Sequence, residues 1–205
     1  MTNEKKFVTC SSGFAGTYTG KKINLLDPNP EDIDIMDIAH ALSGIMRFNG
    51  HLKESMSVAQ HCVMVSYFPE SKESQLHGLL HDAEEAYFVD LPRPVKYLPG
   101  FEEFRRLSTN FIQQVYKKFG VSCTEEFTPE IKLADNMSLV YEAMHFMNHD
   151  ATWAREIMEN NKEAYVKMSM IYSRHCGYPG VWDRQTAKTK YLERFYYLHS
   201  SPYVV

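Results

Sequence analysis

Residues 76–92 read LHGLLHDAEEAYFVDLP, a stretch that combines the apolar spacing of a core helix with two histidines and four carboxylates. On a helical wheel of 100° per residue, its leucines and alanines fall on one side and its titratable residues fall on the other. The polar side is either an ordinary solvated face or part of a chemical site. The second interpretation is open because His81 and Glu85 are one turn apart and Asp82 is adjacent.

Helical periodicity extends outward from this stretch and predicts an all-α protein. The predicted helices cover 31–46, 56–68, 73–88, 101–119, 129–148, 151–173 with a break near 160, and 185–198. The segment between the third and fourth helices, VDLPRPVKYLPG, contains three prolines and is predicted to be a stiff loop. We expect one domain over residues 1–205, with an irregular N-terminal arm at 1–30, a core with the site at 31–148 and C-terminal helices at 149–205.

Composition limits the classes of function. The chain has 205 residues and a net charge of -4, which argues against a general nucleic-acid binder. No apolar run approaches the roughly 20 residues of a membrane span, and the N-terminus has no apolar signal segment, so a soluble, cytoplasmic protein is expected. The four cysteines form no C-x-x-C pair and are predicted to be reduced thiols; they are Cys10, Cys62, Cys123 and Cys176.

Two other helices each carry one polar residue on an apolar face. His61 shares its face with valines and methionine, and Asp135 shares its face with isoleucine and leucine. His61 is either a core histidine with one hydrogen bond or a metal ligand, and Asp135 is either a buried ion-pair partner or a ligand. If the helices converge, His61, His81, Asp82 and Asp135 form a site of two nitrogens and two carboxylates. Such a site suits Mn, Fe, Co, Ni or Zn and tolerates Mg.

The order H…HD…D on successive helices resembles that of the HD-domain metal-dependent phosphohydrolases. The strings SVAQH, LLHDAEEAYFVDLPRPVK and LADN are similar to those of the 5'-deoxynucleotidase branch. The arm TYTGKKINLLDPNPEDIDIMDIAHALSGIMRFNGH resembles the phage-type members, which include deoxyadenosine triphosphate triphosphohydrolases. The resemblance covers about residues 17–146 and implies an HD-domain helical bundle. It also implies a homo-oligomer, located in the host cytoplasm if the protein is phage-encoded.

The resemblance assigns roles to individual residues. It implies His61, His81, Asp82 and Asp135 as ligands of a divalent ion, which is Zn, Mn, Co or Ni, with Mg possible. It implies that Glu85 acts on the attacking water, with Asp90 and Lys96 as further catalytic residues. The implied substrate-binding residues are Arg47, Phe48, Pro94, Lys96 and Lys53. Many relatives carry tryptophan where Phe48 stands, so the family's base preference does not carry over directly.

The predicted reaction is hydrolysis of the α-phosphoryl ester of a deoxynucleotide. A bound divalent ion would lower the pKa of water to roughly 7 to 9 and shield the phosphoryl oxygens. The leading hypothesis is a deoxynucleoside triphosphate triphosphohydrolase acting on dATP, which releases deoxynucleoside and tripolyphosphate. The alternatives are a 5'-deoxynucleotidase and a non-catalytic nucleotide sensor that contains a metal.

Several residues have weaker assignments. Candidates for binding the outer phosphates, or else ordinary surface charges, are His51, Lys53, Arg93, Arg105 and Arg106. His145 and His149 could form a second metal pair, and His77 is either a supporting residue of the site or a surface histidine. Glu142, two turns after Asp135, is expected to pair with a basic residue.

Overall fold

The computed structural model describes residues 13–122, 127–148, 150–177 and 180–199. In the described ranges the regular secondary structure is helical apart from one small hairpin and an isolated bridge between Met46 and Ser57, which confirms the all-α prediction. The helices are α1 Ile35–Leu42, α2 Val58–Ser66, α3 Lys72–Leu80, α4 Glu85–Phe88, α5 Arg93–Lys96, α6 Glu102–Phe119, α7 Phe127–Phe146, α8 Thr152–Asn160, α9 Lys162–Cys176 and α10 Arg184–His199. Short 3-10 turns lie at Pro30–Asp32 and Arg47–Gly50.

The N-terminal arm contains regular structure, so the prediction of an irregular arm is wrong for its described part. Strand β1, Phe14–Gly16, pairs antiparallel with β2, Lys22–Asn24. Ile23 at the centre of β2 is fully buried and anchors the hairpin to the core. The loop between the strands is tied down as well, because the backbone N–H and the hydroxyl of Thr19 both donate to the carboxylate of Asp37.

Helix α2 lies at the centre of the bundle. All nine of its residues are buried, because α3, α7, α9 and α10 pack around it. Its sequence, VAQHCVMVS, is apolar on nearly every side, as expected of a helix without a solvent face. Ser57 caps its N-terminus by accepting a hydrogen bond from the backbone N–H of Gln60. Any polar side chain on α2 therefore needs a partner inside the protein.

The single helix predicted over 73–88 is wrong, because α3 ends at Leu80 and α4 begins at Glu85. Between them the backbone forms i to i+3 hydrogen bonds, from Ala83 N–H to Leu80 O at 3.0 Å and from Glu85 N–H to Asp82 O at 3.1 Å. Such turns advance by about 120° per residue, which turns the following side chains away from the predicted polar face. Glu85 and its neighbour Glu84 are consequently buried, and the solvated-face interpretation fails for both.

The remaining helices confirm most of the predicted bounds. The predicted break near residue 160 lies at Asn161, between α8 and α9. The helix predicted over 31–46 is shorter, because Asp34 caps α1 by accepting from Met36 N–H and the helix ends at Leu42. The three-proline segment contains only the single turn α5. None of the helices in the described ranges is both long and apolar enough to cross a membrane.

Candidate metal centre

The four residues predicted as metal ligands lie together at the junction of three helical segments. His61 comes from α2, His81 and Asp82 from the turn after α3, and Asp135 from α7. The Nε2 atom of His61 lies 3.3 Å from Asp135 Oδ1 and 3.7 Å from Asp82 Oδ2. The Nε2 atom of His81 lies 3.2 Å from Asp82 Oδ2 and 3.9 Å from Asp135 Oδ1. The ligand atoms of His61, His81 and Asp135 all lie within 4.8 Å of one another, close enough to hold one cation, and Asp82 lies beside both imidazoles.

Hydrogen bonds on the far side of each ring orient the two imidazoles. His61 Nδ1 lies 2.6 Å from Glu142 Oε1, and His81 Nδ1 lies 2.8 Å from the carbonyl oxygen of Gly78. Both partners are acceptors, so each Nδ1 carries a hydrogen and each Nε2 is available as a ligand. Both Nε2 atoms are buried without a hydrogen-bond partner. Buried nitrogens of this kind are costly unless something binds them, so the residues present fit a divalent cation.

The charges of the site favour ionised aspartates. Burial raises the pKa of a carboxyl group, but the imidazole of His81 outweighs burial and lowers the pKa of Asp82. His61 acts in the same way on Asp135 and lowers its pKa to about 2. Conversely, burial disfavours protonation of His81, but Asp82 raises its pKa well above the ordinary value. Ligation requires neutral imidazoles, so binding of a cation would displace protons from the histidines.

Glu142 on α7 holds His61 in place and is completely buried. Besides His61, its carboxylate accepts hydrogen bonds from Ser138 Oγ and Tyr172 OH, both at 2.9 Å, and from Arg47 Nε at 3.1 Å. Burial opposes ionisation of Glu142, but Arg47 and then His61 lower its pKa to about 2. The prediction that Glu142 pairs with a basic residue is confirmed, and the partner is Arg47.

Arg47 connects this buried network to the loop of Asp90. Its guanidinium lies 3.8 Å from Asp90 Oδ2 and 5.6 Å from the centre of the Phe48 ring. The backbone beside both ends of this ion pair is strained, with φ of 53° at Phe48 and 115° at Val89. A β-branched residue rarely adopts positive φ, and such a conformation costs on the order of 1–3 kcal/mol. The surrounding contacts hold Arg47 and Asp90 in place against that strain.

Glu85, the predicted acid-base residue, lies beside the ligands in a nearly dry position. Lys96 Nζ is 3.9 Å from Glu85 Oε1. Burial is the largest effect on Glu85 and, together with the charges of Asp82 and Asp90, raises its pKa well above the ordinary value. A raised pKa is found both in buried structural carboxyl groups and in acid-base catalysts, so the catalytic role of Glu85 stays a prediction.

The predicted substrate-binding residues differ in how they are placed. Arg93 is 54% exposed, and its Nη2 atom lies 3.7 Å from Asp135 Oδ2, so it stands at the mouth of the site. Lys53 and Pro94 are exposed, and in the described ranges no hydrogen bond or ion pair joins either of them to the cluster. Their role in substrate binding stays a prediction.

Two arginines that are candidates for binding the outer phosphates, Arg105 and Arg106, instead contact other residues of the protein. Arg105 Nη1 donates to the backbone oxygen of Lys96 at 2.6 Å, which supports the α5 turn. Arg106 pairs with Glu103 on the surface of α6. His51 is exposed beside the 3-10 turn that carries Arg47.

The interpretation of His77 as a surface histidine is wrong, and its role as a supporting residue of the site or a ligand of a second metal stays a prediction. His77 is buried, and its ring meets Tyr116 edge-on at 4.9 Å. Burial, with a smaller effect from His81, lowers the pKa of His77 to about 4. His145 Nε2 lies 3.2 Å from Tyr165 OH. The proposed second metal pair stays a prediction, because His149 lies outside the described residues.

Sequence reasoning missed three neighbours of the site, which are Ser138, Tyr172 and Cys62. Ser138 follows Asp135 by three residues, so helical spacing could have placed it near His61. Tyr172 lies on α9, where no motif indicated a contact with α7. Cys62 Sγ lies within 4.8 Å of ligand atoms of His81 and Asp82, but burial raises the pKa of its thiol to about 12. Cys62 therefore remains protonated at neutral pH and is a poor ligand.

Disulfide formation can be assessed for two cysteines. Cys62 and Cys176 are free thiols, as predicted for a reducing environment. Cys10 and Cys123 lie outside the described residues.

The fold and the site together define an all-α protein in which His61, His81 and Asp135 lie close enough together to hold a metal ion, with Asp82 beside both imidazoles. The chain is 38% identical to the uncharacterized protein YfdR of Escherichia coli strain K12 over 129 residues, which cover 63% of this chain and 70% of YfdR. It is 34% identical to the uncharacterized protein RCAP_rcc00048 of Rhodobacter capsulatus over 135 residues, or 61% of this chain and 68% of that protein. The chain belongs to the same family as YfdR. It matches no protein-family model.

Proposed function

We propose that the protein is a divalent-metal-dependent phosphohydrolase that cleaves the α-phosphoryl ester of a deoxynucleoside triphosphate, with dATP as the first candidate. The observation that carries this proposal is the pair of buried, unpartnered Nε2 atoms of His61 and His81, which face Asp82 and Asp135. This donor set suits Zn, Mn, Co or Ni and tolerates Mg. The sequence resemblance to HD-domain phosphohydrolases supplies the substrate class.

The reaction divides into tasks for the metal and for the protein. When bound, a divalent ion supplies charge that shields the phosphoryl oxygens and lowers the pKa of water towards roughly 7 to 9. Glu85 accepts the proton of the attacking water. Burial and the charges of Asp82 and Asp90 favour the protonated form of Glu85, so the charge of a bound cation, together with Lys96 at 3.9 Å, would have to favour the ionised form that this transfer needs.

Arg47 and Phe48 position the substrate. The guanidinium of Arg47 is held by Glu142 on one side and faces Asp90 on the other, so its orientation is set before substrate arrives. Such a preorganised cation binds the charge that develops on the transferred phosphoryl group. The half-buried ring of Phe48 beside it offers an apolar surface for the sugar or the base.

The exposed guanidinium of Arg93 supports a triphosphate substrate. It stands at the mouth of the site, within 3.7 Å of Asp135, where the β and γ phosphates of a bound nucleotide would extend. The second candidate is a 5'-deoxynucleotidase that acts on monophosphates. The engagement of Arg105 by Lys96 and of Arg106 by Glu103 favours this candidate, because both arginines are then unavailable to outer phosphates.

The test is a substrate screen. The protein loaded with Mn, Co or Zn is incubated with each deoxynucleoside mono-, di- and triphosphate, and orthophosphate is separated from tripolyphosphate by ion chromatography. We expect tripolyphosphate and deoxyadenosine from dATP. Orthophosphate from monophosphates alone would favour the 5'-deoxynucleotidase. Nucleotide binding without any release would replace both candidates with a sensor.

A matched pair of arginine variants tests the phosphate assignment. Arg93→Ala should reduce turnover of dATP by about tenfold and leave turnover of dAMP unchanged, because only the triphosphate extends to the mouth. Arg106→Ala is the control, since its side chain pairs with Glu103, and it should change neither rate.

A further inference from the structure

The outer face of α9 exposes apolar side chains that the fold of one chain does not cover. Val166 and Met170 are one helical turn apart and are 55% and 60% exposed. A trench of about 410 Å³ runs alongside them, with Tyr67 at the end of α2 in its lining. Apolar surface of this kind, next to a depression, is typical of a protein–protein contact.

Two charged residues bracket this apolar pair and lack ionic partners. Glu163 precedes Val166 on the same face, Arg174 follows Met170, and neither forms an ion pair in the described ranges. Neighbouring charges are engaged, because Lys162 pairs with Glu159 at 2.7 Å. Lys167 also lines the trench, but its ammonium group lies over the Phe68 ring, 4.4 Å from the ring centre. The face therefore has an apolar centre, a negative end and a positive end.

This face of α9 is complementary to the same face of a second copy that runs antiparallel to it. Val166 and Met170 lie at equal distances on either side of residue 168, and Glu163 and Arg174 lie five and six residues from it. An antiparallel copy would therefore place methionine against valine at the centre and opposite charges against each other at both ends. A contact in which the same patch serves both partners is the hallmark of a two-fold dimer.

We propose that a second copy of this chain binds this face, with the two α9 helices antiparallel about a two-fold axis near Met168. Val166 contacts the partner's Met170, and Glu163 pairs with the partner's Arg174, so each contact forms twice. The twelve residues from Glu163 to Arg174 span about 16 Å of helix, and the ridge of each α9 enters the trench beside the other. The flexible side chain of Met170 can adapt to that trench.

Sedimentation velocity of the full chain at micromolar concentration tests the proposal without any reference to activity. We expect the wild type to form a dimer, or a larger assembly that contains this dimer. Met170→Glu places a carboxylate at the centre of the contact and should raise the dissociation constant by about 100-fold or more. Met170 is 60% exposed, so the variant should keep the wild-type fold, and circular dichroism verifies this.

Charge reversal tests the antiparallel register. Glu163→Arg and Arg174→Glu should each raise the dissociation constant about tenfold, because each places like charges together. The double variant should return it to within about threefold of the wild type, since the opposite charges meet again. Arg106→Glu on α6 is the control and should not change association. A monomeric wild type, association that survives Met170→Glu, or a double variant that does not recover would overturn the proposal.

Discussion

The two halves of the candidate site are built differently. The half from α2 and α7 is dry and closely bonded: His61, Ser138 and Glu142 are completely buried, and Glu142 alone accepts four hydrogen bonds. The half from residues 81–96 is partly open, and its ion pairs to Asp90 and Lys96 are long, at 3.8 and 3.9 Å. Packing thus fixes the geometry of the first half, whereas the second half carries groups that can exchange partners when substrate enters.

The largest effect should follow a change in the open half. Glu85→Gln should reduce hydrolysis by roughly 100-fold to 10,000-fold, because Gln cannot accept the proton of the attacking water. Metal content, measured by elemental analysis, should not change. Glu84→Gln is the matched control, because Glu84 points to Ser108 on α6 and should retain turnover. Equal turnover in the wild type and Glu85→Gln would remove Glu85 from the mechanism.

A change in the dry half should act on metal affinity and stability instead. Glu142→Gln removes the charge that orients His61 and that compensates Arg47, so the dissociation constant for the metal should rise about 10-fold to 100-fold. The free energy of unfolding should fall by about 3 kcal/mol, since a buried guanidinium loses its partner.

Isothermal titration with Mn or Zn and urea unfolding measure the two effects of Glu142→Gln. Glu159→Gln on the surface of α8 is the control and should change neither value. A Glu142→Gln variant with wild-type metal affinity would show that the carboxylate does not position His61.

The pH dependence of the free energy of unfolding should show that His77, on α3 just before the open half, is buried. The folded protein keeps His77 neutral down to its pKa of about 4, whereas the unfolded chain protonates this ring below about pH 6.5. The contribution of neutral His77 to the free energy of unfolding is therefore complete above pH 6.5 and is lost as the pH falls towards 4, by up to about 3 kcal/mol. In His77→Leu, urea unfolding at pH 7 and at pH 4.5 should show a smaller difference than in the wild type. The exposed control His51→Leu should keep the wild-type difference.

The smallest effect should come from Val89, whose backbone conformation in the open half is strained. Val89→Gly removes the side chain that disfavours φ of 115°, so the free energy of unfolding should rise by up to about 1 kcal/mol. Turnover should fall roughly threefold, because the adjacent Asp90 is then held less firmly. Val95→Gly in α5 is the matched control and should destabilise by about 1 kcal/mol, since Val95 has no positive φ to relieve. A destabilised Val89→Gly would show that the positive φ carries no strain.

Much of the first half of the site could be predicted from sequence. The apolar neighbours of His61 indicated that it is buried, and the spacing of Glu142 from Asp135 indicated the same face of α7. The second half was less accessible, because a wheel at 100° per residue assumes an unbroken helix through residues 81–85. The turn of i to i+3 bonds after Leu80 changed the direction of Glu84 and Glu85. Tyr172 could not be found, because only the packing of α9 on α7 brings it to Glu142.

The sequence by itself determined most of the helices, their apolar faces and the four candidate residues that lie together in the site, because burial and helical periodicity depend on residue type and spacing along one segment. Only the tertiary structure decided which nitrogen of each histidine is free to bind a metal, which cation compensates the charge of Glu142 and which glutamates are buried. These properties depend on contacts between residues distant in sequence, such as His61 with Glu142 and Arg47 with Asp90. No local pattern encodes the distance between two helices, so their packing alone brings these groups within bonding range.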